Sequence, residues 1–176
     1  MNYFEFIFQD WKVNKKNPRG RLIMLLFRMA NFCSTRGIYR WLGFPYLIFY
    51  RILVEWIFGI EIPWRVKIGK NLTLYHGYAL VMNYNVVIGE NCTLRHCTTL
   101  GNKQLDNGQF SGSPVLGNNV DVGSNVCIIG EIYVGDNVKI GAGAVVIRSV
   151  PRDHIAVGNP AVNKMKKEFF FEDIPM

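Results

Sequence analysis

Aliphatic residues recur at every sixth position from Leu116 through Val122, Ile128, Val134 and Ile140 to Val146. A second series of the same period runs two places ahead, from Pro114 through Val120, Val126, Ile132, Val138 and Ala144 to Val150. This spacing fits neither the helix repeat of about 3.6 nor the strand alternation of about 2. A β-sandwich would show turn signals roughly every 8–12 residues and no fixed phase. The pattern instead predicts a solenoid of short strands joined by corners, each hexad forming one side of a triangular coil. Glycine follows the first series at Gly117, Gly123, Gly135 and Gly141, where it is expected to supply backbone angles that other residues reach only at a cost.

The hexads extend upstream. Val66/Ile68 and Leu72/Leu74 open the series, and after a two-residue slip at Tyr78 and Ala79 it resumes as Leu80/Met82, Val86/Ile88, Cys92/Leu94 and Thr98/Leu100. Twelve hexads at three per coil give four coils across residues 61–150. Residues 102–113, rich in Gly, Ser, Asn and Gln, form an inserted loop, and a long loop leaving a rigid scaffold is a place to look for function. Residues 151–176 form a C-terminal extension with a basic patch at Lys164, Lys166 and Lys167.

Residues 1–60 read as helices, one over 21–32 and another over 45–58, with Pro45 suited to a first turn and Gly59 to a stop. The run 41–60 is long enough to suggest a membrane span, but Arg51 and Glu55 lie inside it and each is costly at the bilayer centre. The segment is therefore expected to cap the open end of the solenoid, and its aromatic residues with basic neighbours to touch lipid as well. The net charge of +7 supports this: residues 1–60 hold nine Lys/Arg and three acids, 9 − 3 = +6, and the remainder eleven and ten, 11 − 10 = +1. No nucleic-acid recognition motif accompanies the charge, whereas an anionic membrane surface suits it. The four cysteines lack zinc spacing and no basic n-region opens the chain, so free thiols in the cytoplasm, peripheral at the inner membrane face, are expected.

Several motifs lie on this scaffold: Ile68-Gly69, Tyr75-His76-Gly77, Thr99-Leu100-Gly101, Ile140-Gly141-Ala142-Gly143 and Val157-Gly158-Asn159-Pro160-Ala161. With them, residues 60–161 resemble the hexapeptide acyltransferases of the serine acetyltransferase type. His76-Gly77-Tyr78-Ala79, Arg95-His96, Thr99-Leu100-Gly101-Asn102 and Arg28-Met29-Ala30 bring the chain nearest to the colanic acid biosynthesis acetyltransferases within that group. The resemblance implies a left-handed parallel β-helix, a homotrimer, and acetyl transfer from acetyl-CoA to a hydroxyl in clefts between subunits, with no metal.

The resemblance also implies roles for individual residues. A hydroxyl attacks a thioester only with a general base of suitable pKa, and histidine is the usual choice; His76 matches the family's catalytic histidine. Glu61 matches the carboxylate that orients it, with Glu in place of the commoner Asp. The backbone N–H of Asn102, after Gly101, matches the donor that meets the thioester and its oxyanion. Gly101, Ser124 and Ala142 match positions along the acetyl-CoA arm, and Lys164 and Lys166 are candidates for its phosphates. Serine acetyltransferases carry a second active-site histidine where Ser113 stands here, within Ser111-Gly112-Ser113-Pro114, and a longer helical domain. Both departures favour an exopolysaccharide or capsule sugar, or its lipid-linked precursor, over serine; Tyr78, Arg95, His96 and Ser113 are the acceptor-binding candidates. Serine O-acetylation is the alternative. A metal-dependent carbonic anhydrase would need three convergent histidines, and a scaffold trimer would leave His76 idle.

Counting hexads places His76 two residues after Leu74 and His96 two after Leu94. The two histidines are therefore expected in one column, about 4.8 Å apart along the axis, and the same count carries that column on to Ser124 and Ala142.

Overall fold

The computed structural model describes residues 2–35 and 43–166. Its body is a left-handed parallel β-helix of four coils built from twelve short strands. In chain order these are β1 (Lys67–Ile68), β2 (Thr73–Tyr75), β3 (Val81–Met82), β4 (Val87–Ile88), β5 (Thr93–Arg95), β6 (Thr99–Gly101), β7 (Val115–Leu116), β8 (Asp121–Val122), β9 (Cys127–Ile129), β10 (Tyr133–Val134), β11 (Lys139–Ile140) and β12 (Val145–Val146). They stack as three faces: β1-β4-β7-β10, then β2-β5-β8-β11, then β3-β6-β9-β12. The hexad pairs fill the prism, from Val66 and Ile68 to Val146 and Val150, with Ile132 alone among them half-buried.

Two further strands lie beyond the hexads. β13 (His154–Val157) adds a fifth rung to the second face beside β11, and β14 (Val162–Met165) returns antiparallel to it. Lys167 lies outside the described residues.

The glycines that follow the aliphatic series serve close approach rather than special backbone angles. None of Gly117, Gly123, Gly135 and Gly141 has a positive φ. A Cβ on Gly135 would lie 2.4 Å from the backbone nitrogen of Arg152 in the next coil, and one on Gly123 2.6 Å from that of Ala142. The left-handed corner positions fall two residues later, on Asn119, Asn125 and Asn137 with φ of 56°, 59° and 59°, because asparagine tolerates that region better than other residues with a Cβ.

The N-terminal segment forms α1 (Tyr3–Phe8), α2 (Pro18–Thr35) and α3 (Phe44–Tyr50), the last continuing as a π-helical stretch over Arg51–Ile57. Against the first coil it buries Ile23, Met24, Phe27, Leu47, Tyr50 and Val54. A β-helix ends in an edge of unpaired backbone groups, which must be paired or covered. Here polar side chains of the cap stand in for a missing coil. Arg28 donates to the carbonyls of Ile68 at 2.7 Å and Gly69 at 2.6 Å. Asp10 accepts from Leu72 N–H at 2.9 Å, and Asn14 binds both Leu72 C=O and Leu74 N–H. Asn17 reaches Leu74 C=O at 2.5 Å, Asn31 the carbonyls of Trp64 and Val66, and Tyr50 that of Ile62. No helix among the described residues is long and apolar enough to cross a membrane.

Candidate active site

β2 and β5 pair in register as far as Tyr75 beside Arg95, so His76 and His96 leave adjacent strands at the same corner. Their rings meet edge to face, centroids 5.7 Å apart and planes at 77°. From that point the two coils differ in length. Inward Leu74 and Leu80 are 80 − 74 = 6 residues apart, whereas Leu94 and Thr98 are 98 − 94 = 4. His76 and Gly77 absorb the difference in left-handed conformations, φ 65° and 62°. For His76 this costs about 1–2 kcal/mol, a strain of the kind kept where it positions a functional group.

The bulge also corrects the expected column. Cys97 N–H donates to the carbonyl of Tyr78, at 2.8 Å, and not to that of His76. The histidines therefore share a column at the strand end, and Tyr78 takes over at the corner. Above them Asn125 N–H reaches His96 C=O at 3.1 Å and Gly143 N–H reaches Ser124 C=O at 2.9 Å. His96, Ser124 and Ala142 thus follow one edge of the prism. His76 is exposed on that edge. His96 is half-buried, and its Nδ1 has no hydrogen-bond partner among the described residues; a buried polar atom in that state awaits a ligand or water.

Tyr78, 53% exposed, is held by a residue the motifs did not single out. The guanidinium of Arg19 lies 3.7 Å from its ring centroid and donates to Phe58 C=O at 3.2 Å, a cation–π contact that braces the bulge from the start of α2. No local sequence signal joins Arg19 to Tyr78, because the contact exists only once the cap is docked. Glu61 lies below β3, bridged to Val81, with its N–H on Leu80 C=O. Its carboxylate is exposed, and among the described residues no hydrogen bond joins it to His76.

The remaining candidates lie elsewhere. Arg95 spends its Nη1 on Asp121 at 2.5 Å and on Val122 C=O at 2.7 Å, tying successive coils of the second face together. Gly101, Asn102 and Ser113 sit on the opposite edge of the third face, where the inserted loop leaves. Ser113 is buried, its Oγ donating to Asn83 Oδ1 at 2.9 Å; Asn83 was not anticipated. The loop overhangs a cleft of about 460 Å³ lined by Lys103, Leu105, Ser111, Ile129, Gly130 and Glu131 among others. Asn102 lies six positions after His96, roughly 20 Å of extended chain, so in one chain the histidine pair and Asn102 stand a face apart. Lys164 is exposed on β14, and Lys166 donates its ammonium to Asn137 C=O on the remaining edge, away from Ser124 and Ala142. His154 lies on β13, its Nδ1 2.7 Å from Arg152 C=O, so the three histidines do not converge, and no cluster of metal-ligating side chains occurs among the described residues.

No family model matches the chain. It is 41% identical over 164 residues to WcaB of Escherichia coli (strain K12), a protein named provisionally as a colanic acid biosynthesis acetyltransferase, spanning 90% of this chain and 99% of WcaB. It is 43% identical over 111 residues to the serine acetyltransferase of Helicobacter pylori (strain ATCC 700392 / 26695), which matches 62% of this chain and 63% of that protein. The serine acetyltransferase structure from Neisseria gonorrhoeae superposes with a TM-score of 0.77 at 25% identity, over 93% of this chain and 65% of the other. The soybean serine acetyltransferase apoenzyme gives 0.76 at 27%, over 91% and 68%.

Proposed function

Because the chain belongs to the hexapeptide-repeat acetyltransferases, we propose that it moves the acetyl group of acetyl-CoA to a hydroxyl of an exopolysaccharide or capsule sugar, or of its lipid-linked precursor. The observation that carries this reading is the bulge that holds His76 exposed and left-handed at the prism edge, in ring contact with His96.

In the proposed reaction the neutral His76 ring takes the proton of the acceptor hydroxyl as its oxygen attacks the thioester carbonyl carbon. The C–O bond forms and charge collects on the carbonyl oxygen, which the backbone N–H of Asn102 stabilises as a fixed donor. Collapse breaks the C–S bond, and the leaving thiolate takes the proton from the imidazolium. Glu61 orients the ring, after a side-chain rotation that brings its carboxylate to the imidazole. The two edges that carry His76 and Asn102 are a face apart in one chain, so the reading requires a homotrimer in which the His76 edge of one copy meets the Asn102 edge of the next. The column of outward residues on the face between them, Val81, Thr99, Cys127 and Val145, is small and uncharged, which suits close packing of copies. Ser124 and Ala142 line the pantetheine arm along the same edge.

A sugar acceptor is favoured over serine by two observations. Ser113, where serine acetyltransferases carry a second histidine, is buried on Asn83. The alignment also runs the length of WcaB but through only 63% of the Helicobacter pylori serine acetyltransferase. The test is to incubate the protein with acetyl-CoA and either L-serine or glycan intermediates and to follow thiol release and acetylated product. Product from a glycan only supports the reading, and O-acetylserine as the main product overturns it in favour of serine acetylation.

A further inference from the structure

A helical layer covering a solenoid is expected to be apolar towards the coils and charged towards water. This cap is apolar on both sides. On α3 and its π-helical continuation, Leu47, Tyr50 and Val54 are buried, while the opposite stripe of Phe44, Ile48, Ile52 and Trp56 is 59%, 47%, 41% and 72% exposed. Between Leu22 and Thr35 and between Phe44 and Ile57 the charged residues are Arg28, Arg51 and Glu55. Arg28 is buried on Asp10, and Arg51 is paired with Glu55 at 3.2 Å. The exposed apolar stripe thus carries no unpaired charge of its own.

Among the described residues, exposed basic side chains gather just before and at the start of α2. Lys12, Lys15 and Lys16 are exposed beside Trp11, and Arg21 lies over the Trp11 ring at 4.6 Å. None of these four basic residues forms an ion pair among the described residues. The acids of the segment are spent: Glu5 caps α1, Asp10 is buried, and Glu55 is paired. A cap that exposes an aromatic and aliphatic stripe and also carries uncompensated lysines is complementary to an anionic bilayer surface, which takes up apolar side chains to the headgroup level and attracts basic ones.

We propose that this face of the cap docks the protein on an anionic membrane, with α3 lying in the interface and Lys12, Lys15 and Lys16 on the headgroups. His76 belongs to the first coil, which rests directly on the cap, so one helix layer of about 10 Å separates the catalytic edge from the lipid. A membrane-anchored saccharide is then the acceptor that can reach it, a consequence that rests on the acetyl-transfer reading above.

The test uses the full chain in flotation with phosphatidylcholine vesicles, with and without phosphatidylglycerol. The protein should float with the anionic vesicles only. Each basic residue near the surface contributes roughly fivefold to binding, so a Lys12→Gln/Lys15→Gln/Lys16→Gln variant should bind on the order of a hundredfold more weakly, and Trp56→Ser should also lose binding. Neither variant should change the assembly mass or the thiol release with a soluble acceptor, but both should slow transfer to the same glycan carried on lipid in those vesicles. Absence of flotation, or flotation that neither variant weakens, overturns the proposal. So does a fall in assembly mass in Trp56→Ser, which would show that a second copy covers the face. A parent protein that floats yet releases no thiol contradicts the acetyl-transfer reading and leaves the docking intact.

Discussion

Arg28→Met removes the central tie between the helical cap and the first coil. In the parent, Arg28 is 1% exposed and binds both carboxylate oxygens of Asp10, at 2.7 and 3.3 Å, and the carbonyls of Ile68 and Gly69. Methionine fills much of the same space but leaves a buried Asp10 without a counter-charge and two carbonyls without donors. Removing one partner of a buried ion pair costs about 3–5 kcal/mol. For a chain of this size that corresponds to a melting point lower by roughly 6–20 °C. Asp10→Asn should cost less, because asparagine can still accept from Leu72 N–H. The double variant should cost less than the two single losses added, since each removes what the other leaves stranded. Thermal melting gives the magnitudes, and amide exchange at Leu72 and Leu74 shows whether the loss begins at the capped edge. A drop of under about 3 °C in Arg28→Met, with those amides still protected, would refute the view that the cap replaces a coil by hydrogen bonding.

Gly135→Ala places a Cβ 2.4 Å from the backbone of Arg152 and should cost about 1–3 kcal/mol as overpacking, read by thermal melting. Gly143→Asn, at φ 71° with open space around it, should be tolerated because asparagine holds the equivalent corners elsewhere. His96→Gln should slow transfer or raise the acceptor KM without changing the melting point; unchanged kinetics would leave His96 no part in the site. Hydrogen bonds from Asn137 and then Arg152 hold the Asp153 carboxyl below its ordinary range. Its contribution is therefore present above the unfolded pKa of about 3.9 and lost as pH falls through the lower folded value. Asp153→Asn should melt below the parent at neutral pH and converge with it in acid.

The solenoid was legible because its signal is repetitive: one inward pair per hexad, from Val66/Ile68 to Ala144/Val146, fixes coil number, phase and core together. The glycines after the inward aliphatics serve close approach between coils rather than the special backbone angles expected of them. Steric closeness between coils is a tertiary property, and the left-handed corners fall instead on Asn71, Asn91, Asn119, Asn125 and Asn137, each three residues after an inward aliphatic, a regular signal that the expectation placed on glycine passed over. β13 was missed because His154-Ile155-Ala156-Val157 follows Pro151 out of phase with the hexads. The cap's hydrogen bonds were illegible for a different reason. Asp10, Asn14, Asn17 and Arg28 are spaced along the helical segment with no motif that joins them, and their hold on the first coil appears only against Ile68 to Leu74. At the site, counting brought His76 and His96 together correctly at the strand end. It could not foresee that the two extra residues would hand the corner to Tyr78, or that Arg19 would brace it.

The central claim is that His76 is the base of an acetyl transfer from acetyl-CoA. Its most direct test is thiol release and acceptor acetylation by His76→Ala beside the parent, at equal concentration, with melting point and assembly mass measured on both. An exposed side chain at a corner contributes little to the prism's packing, so the variant should keep its fold and assembly. Loss of a positioned general base should lower the rate by about 10²–10⁴-fold. A folded His76→Ala variant that retained most of the parent's rate would contradict the account.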